Sequence, residues 1–114
     1  MRPLSDEEKV LIARFADELD GPEREQLLAD IAYATAMTVV ADGARVIFEI
    51  AGYQRPPYRG QHPFGVEGKM LDSDNTELSV LLYADENGRL LELEFIRWDS
   101  NDPLSPQWGT LKVF

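Results

Sequence analysis

The chain has 114 residues, of which 44% are apolar and 28% are charged, a composition typical of one globular domain. It contains no cysteine, which excludes disulfides, thiolate metal sites and a thiol nucleophile. No apolar run is long enough to span a membrane, and the N-terminal residues are acidic where a signal peptide would be apolar. We therefore expect a cytoplasmic protein.

The formal net charge of −10 is unevenly distributed. Residues 1–30 contain nine acidic and four basic side chains, residues 31–63 contain two and three, and residues 64–114 contain ten and four. A field of this sign repels phosphate backbones and anionic lipids, and it accelerates encounter with a basic protein. We expect no nucleic-acid or membrane partner, and the charge serves either solubility alone or a basic protein partner.

The first third of the chain predicts two helices. Ser5 and Glu8 form a capping box before an apolar stripe with helical spacing. The stripe consists of Leu11, Ile12, Phe15, Ala16 and Leu19. A shorter helix is predicted to begin at Asp20 or Gly21, with Pro22 in its first turn. It would bury Leu27, Leu28 and Ile31, and we expect both helices to cover a sheet.

From Tyr33 the apolar period changes to two, which predicts a hairpin around the dipeptide Asp42-Gly43. Counting outward from a two-residue turn gives three predicted pairs: Val39 with Val46, Met37 with Phe48, and Thr35 with Ile50. Residues 52–63 then have loop composition, with three prolines. Weak alternation of Phe64, Val66 and Met70 around two glycines predicts a strand with a bulge.

The strongest structural signal lies in residues 76–99, where two apolar runs flank Asn87-Gly88. A type I′ turn at this dipeptide places Glu86 opposite Arg89. The predicted inner pairs are Ala84 with Leu91, Leu82 with Leu93, and Val80 with Phe95. The predicted outer pairs are Tyr83 with Glu92, Leu81 with Glu94, and Ser79 with Ile96. A slip of one residue would exchange the two faces, so turn and pattern agree on one register.

These elements predict an α+β fold, with two N-terminal helices packed on an antiparallel sheet of about five strands built from hairpins. We expect a single α+β domain over residues 1–114. The apolar run 111–114 either adds a strand or packs against the sheet.

Candidate catalytic groups are few. His62 is the only histidine, and with no second histidine or cysteine to act beside it we predict no catalytic residue. Residues 72–77 resemble the start of a calcium loop, but they lack the glycine at the sixth position, and Tyr83 occupies the twelfth. We therefore predict a turn there, with no metal site and no cofactor.

Glu92 and Glu94 lie on one face of a predicted strand, about 7 Å apart along it, a separation that glycoside hydrolysis can use. The same alternation predicts a solvated outer face. An enzyme or small-molecule module that uses these two carboxylates with the loop 52–63 is therefore an alternative to a protein-binding role. Because apolar side chains share this face, a third alternative is a homodimeric accessory protein.

Several motifs are shared with a known group of proteins. They are the opening Arg2-Pro3-Leu4-Ser5 with Glu8-Lys9, the Asp42-Gly43 turn, the run 85–94 (DENGRLLELE), and Arg97-Trp98-Asp99. On these residues the chain resembles a small family of uncharacterised bacterial single-domain proteins. In size, charge and predicted architecture it is also similar to the immunity proteins encoded beside contact-dependent and Rhs-type toxins.

This similarity implies an immunity protein that binds and neutralises a cognate toxin domain, a basic nuclease-like one, and that is not an enzyme. The free protein would be a monomer or a homodimer. Aromatic anchors dominate binding energies at protein interfaces, and acidic groups steer a basic partner. The predicted partner-binding residues are Asp72, Asp74, Trp98, Asp99, Asp102 and Trp108, followed by Tyr53 and Tyr58.

Overall fold

The computed structural model describes residues 1–39, 44–99 and 101–114. In these ranges the chain forms β1 (Arg2–Pro3), α1 (Asp6–Asp17), α2 (Gly21–Tyr33), β2 (Ala34–Val39), β3 (Arg45–Ile50), β4 (His62–Asp72), β5 (Glu77–Ala84), β6 (Leu90–Arg97) and β7 (Pro106–Val113). No helix among the described residues is long and apolar enough to cross a membrane.

The strands form one antiparallel sheet in the order β1-β2-β3-β6-β5-β4-β7, which curls into a half-barrel. The predicted α+β fold with about five strands is therefore wrong, because the described part of the chain is mostly sheet and has seven strands. The two additional strands lie at the edges. β1 has only two residues, and β7 contains Pro106 and Gly109, so neither shows the alternation that identifies a strand in a sequence.

Helix α1 lies against the inner face of the curled sheet. The predicted capping box is present, with Ser5 and Glu8 exchanging hydrogen bonds, and all five residues of the predicted apolar stripe are buried. The Phe15 ring packs directly on Gly68 of β4, where an added Cβ would lie 3.0 Å from the ring. Glycine is thus required at this position by the approach of the helix.

The same helix spans the open side of the half-barrel. Arg14 donates to the carbonyl of Leu111 in β7 (2.9 Å), at one edge of the sheet. At the other edge, Arg2 of β1 donates to both carboxylate oxygens of Glu8 (2.7 and 2.9 Å) and to Thr38 of β2 (2.9 Å). These polar contacts hold both edge strands to one helix.

Helix α2 is less deeply packed than predicted. Leu27 is buried, but Leu28 is 41% exposed and Ile31 is only half-buried, so the predicted apolar face is partly wrong. Its other buried residue is Asp30, whose carboxylate accepts hydrogen bonds from the Arg89 side chain and from the backbone of Leu90. A buried ion pair therefore does part of the anchoring that apolar side chains do in α1.

The predicted register of the main hairpin is confirmed for five of its six pairs, from Ser79 with Ile96 to Tyr83 with Glu92. The sixth pair is wrong, because Ala84 pairs with Leu90 at a bulge. The type I′ turn is also wrong: Gly88 has φ +75°, but Asn87 does not have a positive φ.

A three-residue loop connects the hairpin strands instead. The amide of Asp85 donates to the carbonyl of Arg89 (2.9 Å), and that of Gly88 donates to the carbonyl of Asp85 (3.0 Å). The Asp85 carboxylate also accepts from the backbone of Asn87 and Arg89 (2.9 and 3.1 Å). This is a type I turn followed by a left-handed glycine, and the Asp85 side chain favours it over the shorter turn.

The first hairpin differs from its prediction by one residue. β2 pairs with β3 through Ala36 with Phe48 and Met37 with Ile47, up to Val39 with Arg45. Ala36 is fully buried opposite the large Phe48 ring, whereas Met37 is 48% exposed on the outer face. The alternation of Thr35, Met37 and Val39 therefore marked the outer face. The predicted Asp42-Gly43 turn lies outside the described residues.

The remaining strands confirm two predictions. β4 has the predicted bulge, between Pro63 and Glu67, and it begins at His62, so the loop ends before the last two residues assigned to it. The closing apolar run adds a strand, β7, which pairs with β4.

Candidate functional site

Arg97 organises the end of the sheet where β6 leaves it. Its side chain is only 6% exposed and donates to both oxygens of Asp74 (3.0 and 2.7 Å), both oxygens of Asp99 (2.8 and 2.8 Å) and one oxygen of Asp72 (2.8 Å). We call these four residues the Arg97 cluster. A guanidinium has five N–H donors, so the cluster satisfies every one of them.

All members of the Arg97 cluster are charged at neutral pH. The hydrogen bonds from Arg97 lower the pKa of Asp74 and hold the pKa of Asp99 well below its usual range. The same hydrogen bonds raise the pKa of Arg97, and those to Asp99 have the largest effect. Burial would raise the pKa of Asp72, but hydrogen bonds from three backbone amides and from Arg97 outweigh it and lower that pKa. Three carboxylates and one guanidinium leave the cluster with a net charge of −2.

Asp72 is fully buried and positions the chain that follows β6. Its carboxylate accepts from the backbone amides of Leu104 and Ser105 (both 2.8 Å), while its backbone carbonyl accepts from the Gln107 side chain (2.6 Å). The turn after it is built like the one at Asp85, with Asn75 in the left-handed conformation at φ +66°. The predicted turn in place of a calcium loop therefore has a structural role.

Trp98 lies between Arg97 and Asp99 in the chain, with its ring on the outer face, and is 72% exposed. Its indole Nε1 donates to Ser79 Oγ (2.9 Å), which fixes the ring while leaving it open to solvent. Asp74 and Asp99 are each about 40% exposed, at 41% and 40%. Asp102 is exposed in the segment held by the cluster. We call Asp74, Trp98, Asp99 and Asp102 the Trp98 patch.

Trp108, by contrast, belongs to the core region. Its ring packs edge-on against Phe95, with ring centroids 5.6 Å apart, and the side chain is half-buried. It lies on the inner face, whereas Trp98 lies on the outer one, so the structure separates the two tryptophans that the sequence prediction grouped together.

The loop 52–61 folds onto the hairpin turn at the other end of β5. Asp85 Oδ2 accepts from the hydroxyl of Tyr53 (2.7 Å) and from Arg55 Nη1 (2.8 Å). Burial would raise the pKa of Asp85, but these bonds and the turn amides outweigh it and lower that pKa. Arg89 stacks over the Tyr53 ring at 4.2 Å. Tyr53 therefore stabilises the turn, whereas Tyr58 is 74% exposed.

Asp72, Trp108 and Tyr53 therefore support the fold, and the exposed predicted partner-binding residues lie in two places. The Trp98 patch and Tyr58 lie toward opposite ends of β5, which has eight residues and is about 25 Å long at roughly 3.3 Å per residue. One compact interface of standard size could reach both only across the outer face of the sheet.

Glu92 and Glu94 lie on the outer face, as predicted, but each has partners there. Glu92 is 4% exposed and accepts from Arg45 Nη1 (3.1 Å) and from Gln61 Nε2. Glu94 accepts from the hydroxyl of Tyr83 (2.9 Å). A depression of about 270 Å³ joins the loop to this region, and its lining residues are Arg45, Ile47, Tyr58, Gln61, Leu91 and Glu92.

His62 is exposed at the start of β4, opposite Ala84. Among residues 1–39, 44–99 and 101–114, no group of three or more histidine, aspartate or glutamate side chains is arranged to hold a metal ion.

Buried ion pairs concentrate the net charge on the surface. Five carboxylates of the described residues are buried, and each is paired with a different arginine: Glu8 with Arg2, Asp30 with Arg89, Asp72 with Arg97, Asp85 with Arg55, and Glu92 with Arg45. Setting these five pairs aside leaves 16 of the 21 acidic and 6 of the 11 basic side chains of the whole chain. The acidic excess therefore lies outside the buried pairs.

Sequence reasoning missed Arg97, the residue that holds the cluster together. A signal was present, because Arg97 follows Leu93 and Phe95 on the inward-facing positions of its strand. An arginine at such a position requires carboxylate partners, and Asp72 and Asp74 occupy the neighbouring turn.

Comparison with known proteins identifies a family. No curated protein and no solved structure matches the chain. The model of a domain of unknown function, DUF6984, matches residues 1–105, which include all the helices and strands of the described residues except β7. The resemblance to an uncharacterised family of small domains is confirmed to that extent, and the match says nothing about immunity. The chain belongs to the family of the domain of unknown function DUF6984.

Proposed function

We propose that this protein is an immunity protein that acts in the cytoplasm, where it binds and neutralises a cognate bacterial toxin domain of basic, nuclease-like character. The observation that supports this most is the Trp98 patch, in which an exposed aromatic ring precedes Asp99 in the chain and Arg97 holds the carboxylates of Asp74 and Asp99 in place. It offers a basic partner both an anchor and a charge complement.

The patch is favourable for binding because little of it has to be ordered by a partner. Arg97 holds Asp74 and Asp99 through two hydrogen bonds each, and Ser79 holds the Trp98 indole. Immobilising a flexible side chain at an interface costs about 0.5–1.5 kcal/mol, and a rigid patch avoids most of that cost. A lysine or arginine of the partner can stack on the ring and remain near the carboxylates.

Neutralisation would then follow from two properties. The acidic surface accelerates encounter with a basic domain, an effect that weakens as salt screens the charges. The Trp98 patch holds the complex and places the body of the immunity protein over the basic groups that a nuclease uses to bind its substrate.

The test is to purify the tagged protein from cells that also express the genes next to its own gene, and to identify the proteins that co-purify with it. We expect capture of one basic toxin-like protein, with less captured as salt rises. Trp98→Ala should abolish capture, while Tyr33→Ala, which removes an aromatic ring that is 64% exposed on α2, serves as the matched control. Equal capture by both variants would contradict the assignment of the patch. A free homodimer that captures no neighbour would support the accessory-protein alternative instead.

A second candidate is a small-molecule site or enzyme at the depression formed by Tyr58, Gln61 and Glu92. The observation in its favour is that the depression joins the loop to a carboxylate, as such a site requires. Its volume of about 270 Å³ is below the usual range of about 300–1,000 Å³, and the Glu92 carboxylate is already paired with Arg45. A metabolite that raises the melting temperature of wild type but not of Gln61→Ala would favour this candidate.

A further inference from the structure

The pairing of β4 with β7 is interrupted near its middle. Lys69 pairs with Lys112, but Leu71 pairs with Gln107, so β7 uses three more residues than β4 between these two pairs. In the gap the amide of Leu71 donates to the Thr110 hydroxyl (2.8 Å) in place of a backbone carbonyl. The extra residues bulge away from β4 and open a space on the outer face of the sheet.

This space has a volume of about 640 Å³, which is within the usual range for small-molecule sites. The residues that line it from the outer face are Lys69, Leu71, Glu77, Thr110, Lys112 and Phe114. We call them the β4–β7 site. Leu71 and Phe114 provide an apolar surface, and the Phe114 ring is within 5.9 Å of the Lys69 ammonium.

The charges of the β4–β7 site are unusual for this chain. Only three lysines occur in the sequence, and two of them, Lys69 and Lys112, lie directly opposite each other across the strand pair. Directly opposed residues have Cβ atoms about 5 Å apart, and like charges at such positions destabilise a sheet. Glu77 lies 3.2 Å from Lys69 and offsets part of this repulsion, but it pairs with only one of the two lysines, and solvent weakens both interactions because the side chains are exposed.

We propose that the β4–β7 site binds a small organic anion, whose charged head lies between Lys69 and Lys112 and whose apolar or aromatic body packs on Leu71 and Phe114. A bound anion turns the unfavourable lysine pair into a favourable one. The β4–β7 site shares no residue with the Trp98 patch, although the two are neighbours on the outer face, because Ser79, which accepts from the Trp98 indole, pairs with Lys69. The proposal adds a small ligand to a chain whose proposed partner is a protein.

The experiment is an NMR titration of the full chain with phenyl phosphate, which combines an anionic head with an aromatic body. Inorganic phosphate and benzyl alcohol serve as probes of the head and the body alone. We expect saturable shifts of the amides of residues 69–71 and 109–114 with phenyl phosphate, and binding at least about tenfold weaker with either single probe, because each forms only one of the two contacts.

Substitutions of the rim test the role of each charge. Lys112→Met should weaken binding by about fivefold or more, the factor expected for one contact between opposite charges near water. Glu77→Gln should strengthen binding, because it removes the carboxylate that pairs with Lys69. Lys9→Met, which removes the third lysine from the exposed face of α1, is the matched control and should bind as wild type does.

The free protein gives a second readout, because Lys112→Met should raise the melting temperature by removing the repulsion. Equal affinities of wild type and Lys112→Met for phenyl phosphate would overturn the proposal. NMR shifts that do not saturate would also overturn the proposal. So would a loss of binding in Lys9→Met that the variants of the β4–β7 site do not show.

Discussion

The ion pair between Asp30 and Arg89 should be the main anchor of α2. Asp30 is 1% exposed and accepts from Arg89 Nε and Nη2 (2.9 and 2.7 Å), from the Leu90 amide (3.1 Å) and from Gln26 (3.1 Å). Asp30→Ala leaves the guanidinium and a buried amide without their acceptor. Breaking a buried pair costs about 3–5 kcal/mol. Since the Arg89 side chain is 23% exposed and can be partly hydrated, we expect about 2–4 kcal/mol.

The assay is urea unfolding of four proteins: wild type, Asp30→Ala, Arg89→Met and the double variant. Methionine preserves a contact with the Tyr53 ring, so the cycle isolates the ion pair. The double variant should be destabilised by at least about 1 kcal/mol less than the sum of the single variants, because replacing both partners leaves no buried charge without a partner. Amide exchange should show that Asp30→Ala loses protection first in α2.

The control is Glu25→Ala, an exposed acidic residue on the same helix, which should change stability by less than about 0.5 kcal/mol. If the effects of Asp30→Ala and Arg89→Met add to within about 0.5 kcal/mol, the pair is not coupled and the reasoning is refuted.

Three further predictions concern packing and pH. Gly68→Ala should cost about 1–3 kcal/mol in urea unfolding, because the new Cβ would lie 3.0 Å from the Phe15 ring. Asp85 has a lowered pKa in the folded state, so its contribution to stability is present above about pH 4 and is lost as pH falls through the folded pKa; Asp85→Asn should show a smaller loss on acidification. Burial, followed by the hydrogen bond to Glu94, raises the pKa of Tyr83 to about 12. The free energy of unfolding should therefore fall between about pH 10 and pH 12, and it should fall less in Tyr83→Phe.

Each of these predictions has an outcome that would contradict it. Gly65→Ala is the control for Gly68→Ala, since an added Cβ there meets no atom within 4 Å, and equal effects of the two would exclude the contact with α1. An acid transition of Asp85→Asn identical to that of wild type would mean that its hydrogen bonds do not stabilise the fold. Tyrosine absorbance that titrates entirely near pH 10 would contradict the shift at Tyr83.

The local structure of the chain was predictable where apolar residues recur at a fixed spacing. The capping box at Ser5, the stripe that includes Phe15, and most of the register from Ser79 to Tyr83 follow from spacing alone, because buried apolar residues recur once per helical turn or on alternate strand residues. The register of β2 was not predictable in this way, because the buried residue is a small alanine, Ala36, and the large apolar residue, Met37, faces outward.

Long-range pairing was not predictable from local pattern. The edge strands β1 and β7 form because β2 and β4 provide partners, and of their own residues only the apolar run 111–114 indicated a possible strand. The Arg97 cluster depends on bringing together residues 25 and 27 positions apart, Asp72 with Arg97 and Asp72 with Asp99. The sequence prediction selected the aspartates for their charge, and only the fold shows that Asp72 is a buried positioning residue.

The measurement that tests the central claim most directly is growth of cells that express the neighbouring toxin-like gene together with this protein. Wild type and Tyr33→Ala should restore growth, whereas Trp98→Ala, which removes the exposed ring of the Trp98 patch, should not, although it folds to the same stability as wild type. Restored growth by Trp98→Ala would contradict the role of the patch. Failure of wild type to protect against any neighbouring gene product would contradict the immunity function itself.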